Sequence, residues 1–324
     1  MTQFNKNSAE LIEQANKAEL HCHLDGLLCP EYIITAKAQG YCPELDIDSM
    51  RSHYPVTSLE GWLKLGEFLG PHVNGNGELL LQILRIHLQS LRLQNVRYAE
   101  IMLSCFLRLP EDQLFPLMRQ YRDVANDFPD IQVGLTWALA RFPNRQMFED
   151  KLNKAISLWR LGYVDGIVFA GDEKACRIKD YADLFDNLAK ENIPVEIHAG
   201  EWCGPESIWD AIEYGHPRRI GHVVCLFDDP DLPKYFAKNH LHIEFCPTSN
   251  LKLTGLRKIE EHPVFKAIDL GLNFSINTDD PGHLECSMNS EFKLLDSVRP
   301  FKKEELERIY VNSINAAFRP VNQK

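Results

Sequence analysis

Residues 18–26 read AELHCHLDG, which sets His21 and His23 two positions apart. On an extended strand residues i and i+2 share a face, so both imidazoles would point the same way. Such a pair is either a set of hydrogen-bonded core histidines or half of a metal site. Three further stretches bear on the choice. VEIHAGE (195–201) carries His198 and Glu201, RIGH (219–222) ends in His222, and NTDDP (277–281) holds Asp279 and Asp280. Each places polar groups at the end of an otherwise apolar run. Three imidazoles and a carboxylate are nitrogen and oxygen donors suited to Zn²⁺, with a coordination position left for water. Burying four such strand ends without a shared partner would be unfavourable.

Something must bring these ends together. Short runs rich in β-branched residues predict strands at 18–23, 96–103, 132–139, 164–170, 195–198, 219–222, 241–246 and 273–277. Helical patterns lie between them, for example at 148–161, 181–190, 205–214 and 231–238. Strand–helix alternation implies a parallel sheet covered by helices. Eight strands fit an α/β (β/α)₈ TIM barrel forming one domain over residues 1–324, and catalytic groups gather at the C-terminal strand ends of such barrels. A doubly wound open sheet would alternate similarly, but no G-x-G-x-x-G follows the first strand. Extra helices are expected after strand one, as a lid insertion over roughly residues 27–95. There Thr57-Ser58-Leu59-Glu60 reads as a capping box with Thr57 at its head. Leu79–Leu91 is strongly apolar, and Trp62 and Leu63 are the lid candidates.

Composition removes some classes. The 324 residues are 44% hydrophobic and 25% charged, with a formal net charge of −11. That balance argues against a protein that neutralises nucleic-acid phosphates, but not against a small nucleoside or base. No apolar run reaches the roughly 20 residues needed to span a bilayer. Nine scattered cysteines without a C-x-x-C pair, behind a polar start, predict reduced thiols in a cytoplasmic protein. Oligomeric state is not legible.

HCHLDG, AGDE (170–173), HAGE (198–201), RIGH and NTDDP, in this order, resemble the adenosine deaminase family of metal-dependent aminohydrolases. The H-x-E and P-C-x-x-C signature of cytidine-type deaminases is absent. The resemblance implies that His21, His23, His198 and Asp279 hold one Zn²⁺ per subunit, which lowers the pKa of its water towards roughly 7. It implies Glu201 as the acid that protonates purine N1. His222 would orient the attacking hydroxide, an imidazole being able to carry charge near neutral pH. Asp279 would also accept the water's proton. Asp280 would meet N7, which requires a proton on one of the two. Gly171 would contact N3 through its N–H, and Asp25, with His23, would lie near the ribose 5′-hydroxyl. The expected reaction converts adenosine or 2′-deoxyadenosine to inosine or 2′-deoxyinosine and ammonia. Adenine and modified aminopurine nucleosides are the alternatives; Asp25 favours a nucleoside, because relatives acting on adenine tend to carry Glu there. A nucleotide is disfavoured, since no cluster of Arg or Lys sits beside the motifs to clamp a phosphate, and only Arg218 and Arg219 keep it open. A non-catalytic, metal-containing purine-binding protein is the rival from another class. Val223 after His222, where glycine is common, and the sequence Glu100–Cys105 depart from the family pattern.

Overall fold

The protein is described from a computed structural model that covers residues 6–104 and 109–321. Its eight strands are β1 (Lys17–His23), β2 (Val96–Leu103), β3 (Gln132–Ala140), β4 (Gly166–Ala170), β5 (Val195–Ala199), β6 (Arg219–His222), β7 (His242–Phe245) and β8 (Phe274–Ile276). Each predicted strand is present, with ends moved by two residues at most. The strands follow one another in sequence order, every neighbour parallel. β1 and β8 meet at the C-terminal end. There the His23 N–H donates to the Asp279 carbonyl and the Asp279 N–H to the His21 carbonyl, both at 2.9 Å. The architecture is a (β/α)₈ barrel. Cys105 lies outside the described residues.

The apolar core sits between strands and helices. Leu20, Cys22, Ile101, Leu135, Trp137, Ile167, Phe169, Ile197, Ile220, Ile243, Phe245, Phe274 and Ile276 are all buried. The barrel interior is different. On one side Met102, Ala138, Val168 and Ala170 form a small apolar cluster. The other side is filled with charge: Glu19, Glu100, Glu196, Arg219 and Glu244 are each fully buried. Arg219 makes ion pairs with Glu244 and, at 2.6 Å, with Glu100. Its guanidinium lies 3.5 Å from the centre of the Phe318 ring, which comes from the C-terminal segment. A Cβ at Gly166 would collide with that ring at 2.3 Å, so glycine there admits Phe318. Arg219 is thus locked beneath the site at the start of β6. Arg219 starts β6 and Arg218 precedes it, so both lie at the end of the strand away from His222 and neither forms a clamp there, in keeping with the expectation against a nucleotide.

The long connection after β1 is helical as expected. α1 (Lys6–Gln14) precedes the barrel, and α2 (Pro30–Ala38), α3 (Ile47–Arg51), α4 (Leu59–Val73) and α5 (Gly77–Leu93) fill the insertion. α4 is capped by Ser58 rather than Thr57: the Ser58 hydroxyl accepts from the Gly61 N–H at 3.2 Å. The three-residue step from cap to bonded amide is the same, displaced by one position. No helix among the described residues is long and apolar enough to cross a membrane, and the described cysteines are free thiols.

Candidate active site

Side-chain alternation turns His21 and His23 inward from β1, and His198 joins them from β5. One ligand nitrogen from each lies within 4.8 Å of the others. The Asp279 Oδ1 is 3.4 Å from both His21 Nε2 and His23 Nε2. Against the upward pull of burial, the neighbouring imidazoles, His21 first, then His222 and His23, hold Asp279 well below the usual carboxylate range. His21 Nδ1 lies 2.7 Å from Glu244 Oε2. A carboxylate there accepts a hydrogen bond from Nδ1–H, which leaves the lone pair on Nε2. That Nε2, like His198 Nε2, is buried with no hydrogen-bond partner among the described residues. Orphaned imidazole nitrogens facing an ionised carboxylate are what a divalent metal would satisfy, so the donor set fits one. Glu196, also without a hydrogen-bond partner, lies 3.6 Å from His198 Nε2.

The backbone at these strand ends is strained. His222, Val223 and Asp279 have φ of 67°, 49° and 64°, a region that non-glycine residues rarely occupy. Val223, where the family often has glycine, therefore holds a glycine-like conformation with a β-branched side chain. Gly200, at φ 70°, lets the chain reverse so that Glu201 turns inward. Glu173 orders that turn. Its carboxylate accepts from the N–H groups of Gly200, Glu201 and Trp202 at 2.9, 2.7 and 2.9 Å. Glu201 is 7% exposed. Burial, then the charges of Asp279 and Glu173, push its carboxyl well above the ordinary range, so it is a neutral acid.

His222 Nε2 lies 3.6 Å from Glu201 Oε2 and 3.1 Å from His198 Nδ1. Its tautomer follows from a backbone amide. The Val264 N–H donates to His262 Nδ1 at 3.1 Å, so His262 carries its proton on Nε2 and donates to Asn250 Oδ1, also at 3.1 Å. Asn250 must then turn its amide to His222 Nδ1, at 3.1 Å, which leaves the proton on His222 Nε2. Burial and the neighbouring His21 push His222 down to about 3. With that tautomer it presents an N–H to the site.

The opposite wall comes from the ends of β1, β2 and β8. Asp25 Oδ1 accepts from the Ser104 hydroxyl at 2.9 Å. Asp280 Oδ2 accepts from the Trp62 indole N–H at 2.8 Å, so α4 does reach the site. Leu63, half-exposed, does not share that role. Burial, then Asp279 and Asp25, raise Asp280 well above the carboxylate range. With Oδ2 serving Trp62, the Asp280 proton belongs on Oδ1. Gly171 ends β4 at φ 82°. All the sequence-selected residues thus stand at the C-terminal strand ends. Glu173, Glu244, Asn250, Ser104, His262 and His283 were not singled out. Glu173 closes the motif AGDE, Ser104 lies in the divergent stretch Glu100–Cys105, and Asn250 closes Cys246-Pro247-Thr248-Ser249-Asn250 after β7; Glu244, His262 and His283 carry no local signal.

A sequence profile described as adenosine deaminase matches residues 16–324. The chain belongs to the adenosine deaminase family, hydrolases acting on purine amidine C–N bonds. An adenosine deaminase of Aliivibrio fischeri is 28% identical over 332 residues, covering 97% of each chain. An adenine deaminase of Rhizobium rhizogenes is 36% identical over 155 residues, so that alignment spans about half of either protein, 48% of each. Among solved structures, an amidohydrolase of Burkholderia ambifaria with bound Zn superimposes with a TM-score of 0.81 at 23% identity, covering 98% of this chain and 89% of that one.

Proposed function

We propose that the protein removes the 6-amino group of an aminopurine hydrolytically, with adenosine or 2′-deoxyadenosine as substrate. Water adds at C6, ammonia leaves, and the 6-oxopurine remains. The observation that carries the reading is the convergence of the His21–His23–His198–Asp279 cluster with two buried carboxyls, Glu201 and Asp280, both of which burial raises above the usual carboxylate range.

Those four residues would hold the metal, for which Zn²⁺ is the choice, one per subunit. Zinc, when bound, activates water for attack at neutral pH. Glu201 gives its proton to N1 as negative charge develops there. The His222 Nε2–H donates to the incoming oxygen and keeps it on the face opposite the leaving amine. Asp279, ionised, accepts the proton that the water loses. Asp280, protonated on Oδ1, donates to N7, and Trp62 closes this side to bulk water. Gly171 offers its N–H to N3, and Asp25 and His23 border the far edge.

Adenine is the second reading, favoured by the R. rhizogenes relative named for that substrate. Asp25 supports the nucleoside. A purely structural metal site would be closed to water and would need neither Glu201 nor His222, which disfavours a non-catalytic binding protein. The deciding experiment measures ammonia release from adenosine, 2′-deoxyadenosine, adenine and AMP by zinc-loaded protein. Adenosine is expected to lead; a clear lead for adenine transfers the proposal to the free base.

A further inference from the structure

His283 has no part in the chemistry above, yet its place is unusual. It stands in the short helix Pro281–Leu284, 6% exposed, with neither ring nitrogen hydrogen-bonded to any described residue. Two interlocked turns put it there. A Cβ on Gly282 would lie 2.3 Å from the Leu27 carbonyl, and one on Gly26 would lie 1.9 Å from Asp280 Oδ1. The turn after β8 therefore seats directly on the turn after β1, against Asp25. Burial keeps the imidazole neutral, and of the charges reaching it Asp25 is the strongest, ahead of Asp279 and His23. Buried imidazoles without partners are disfavoured, so two enclosed, unpartnered nitrogens beside the turn that carries Asp25 point to a group brought by the ligand.

The position says which group. Glu201 and His222 come from the ends of β5 and β6, while Asp25, Ser104 and His283 come from the ends of β1, β2 and β8. A purine with N1 at Glu201 and C6 at the donor cluster directs its N9 substituent towards that second set. A neutral imidazole offers one donor and one acceptor, and the Asp25 carboxylate offers acceptors only. The small group that uses both residues is a hydroxyl, donating to Asp25 and accepting from the ring N–H. We propose that His283 is a specificity residue that reads, with Asp25, a hydroxyl on the N9 substituent of the substrate. The proposal rests on the aminopurine reading above and adds a residue whose substitution separates nucleosides from simple N9-alkylpurines.

Adenosine and 9-methyladenine make the test, since the second keeps the base and the N9 carbon but has no hydroxyl. Both are assayed with wild type, His283→Phe and His283→Gln, with zinc content and thermal stability measured as controls. In H283F, kcat/KM for adenosine should fall about 10- to 100-fold more than for 9-methyladenine, chiefly through KM. H283Q, which keeps a donor and an acceptor, should recover part of the difference. Equal losses on both substrates, or a preference for adenosine that H283F does not move, would overturn the assignment. If the wild type turns over neither compound, the aminopurine reading fails by itself. Calorimetric binding of the two compounds then decides on His283, an equal affinity ratio in wild type and H283F counting against it.

Discussion

Glu201→Gln isolates the role of one proton. The glutamine keeps the volume of a side chain that is 7% exposed, and it can still donate an N–H, but it cannot deliver a proton to N1. The site is built to make that proton available. Burial, then Asp279 and Glu173, hold the carboxyl well above its ordinary range, while the backbone turn carrying it is fixed by Glu173. General acid catalysis of this kind contributes about 10²- to 10⁴-fold, or roughly 3–5 kcal/mol of barrier. E201Q should therefore lose that factor in kcat/KM with its zinc content intact, because Glu201 is outside the donor set. The sign of the pH effect follows from the raised pKa. The active form is the protonated one, so the wild-type rate persists above the ordinary carboxylate range and falls only as pH rises through the Glu201 pKa. The variant's residual rate should lack that alkaline fall. Steady-state kinetics across pH, with metal analysis of each preparation, reads both effects. Turnover within about threefold of wild type would refute the reasoning, as would an unchanged alkaline limb.

Three other perturbations separate further parts of the account. Trp62→Phe removes the 2.8 Å hydrogen bond to Asp280; losing a partner of a buried carboxyl costs about 1–2 kcal/mol, so kcat/KM should drop about 5- to 30-fold with no loss of zinc. Glu244→Gln weakens the grip on His21 Nδ1 and should reduce zinc affinity about 10- to 100-fold, measured by competition with a chelator. Glu291 is fully buried, accepts from the Thr248 N–H at 2.9 Å, and is raised by burial from 4.5 to about 7. The stability tied to its proton is complete below pH 4.5 and is lost as pH rises through about 7. That displacement is worth on the order of 3 kcal/mol, so Glu291→Gln should gain thermal stability relative to wild type between about pH 5 and pH 8. A difference in melting temperature that does not change with pH would contradict it.

The barrel and its polar strand ends were readable because each rests on a local pattern, whereas the acid role of Glu201 came from the family resemblance. The period-two placement of His21 and His23, and polar residues closing apolar runs at His198, His222 and Asp279, need only strand geometry. What holds these groups in register does not. Trp62 meets Asp280 across 218 positions, and Glu244 meets His21 across 223; no short stretch encodes either partner. The protonation of His222 is set three hydrogen bonds away, at the Val264 amide. The chain that sets it, through His262 and Asn250, cannot be read from the strand end alone. Arg219 showed the same difficulty. It stands three residues before His222 in sequence, yet the strand carries it to the other end of β6, where Glu100 and Glu244 hold it. The displaced cap of α4 is a smaller case: Thr57 and Ser58 are chemically equivalent cappers, and the packing of the helix chooses between them.

The most direct test of the central claim is product analysis of the zinc-replete protein with adenosine, following ammonia and 6-oxopurine together. The account predicts equimolar ammonia and inosine, lost on removal of the metal and restored by zinc. Absence of ammonia from adenosine, 2′-deoxyadenosine, adenine and AMP alike, with zinc bound, would contradict it.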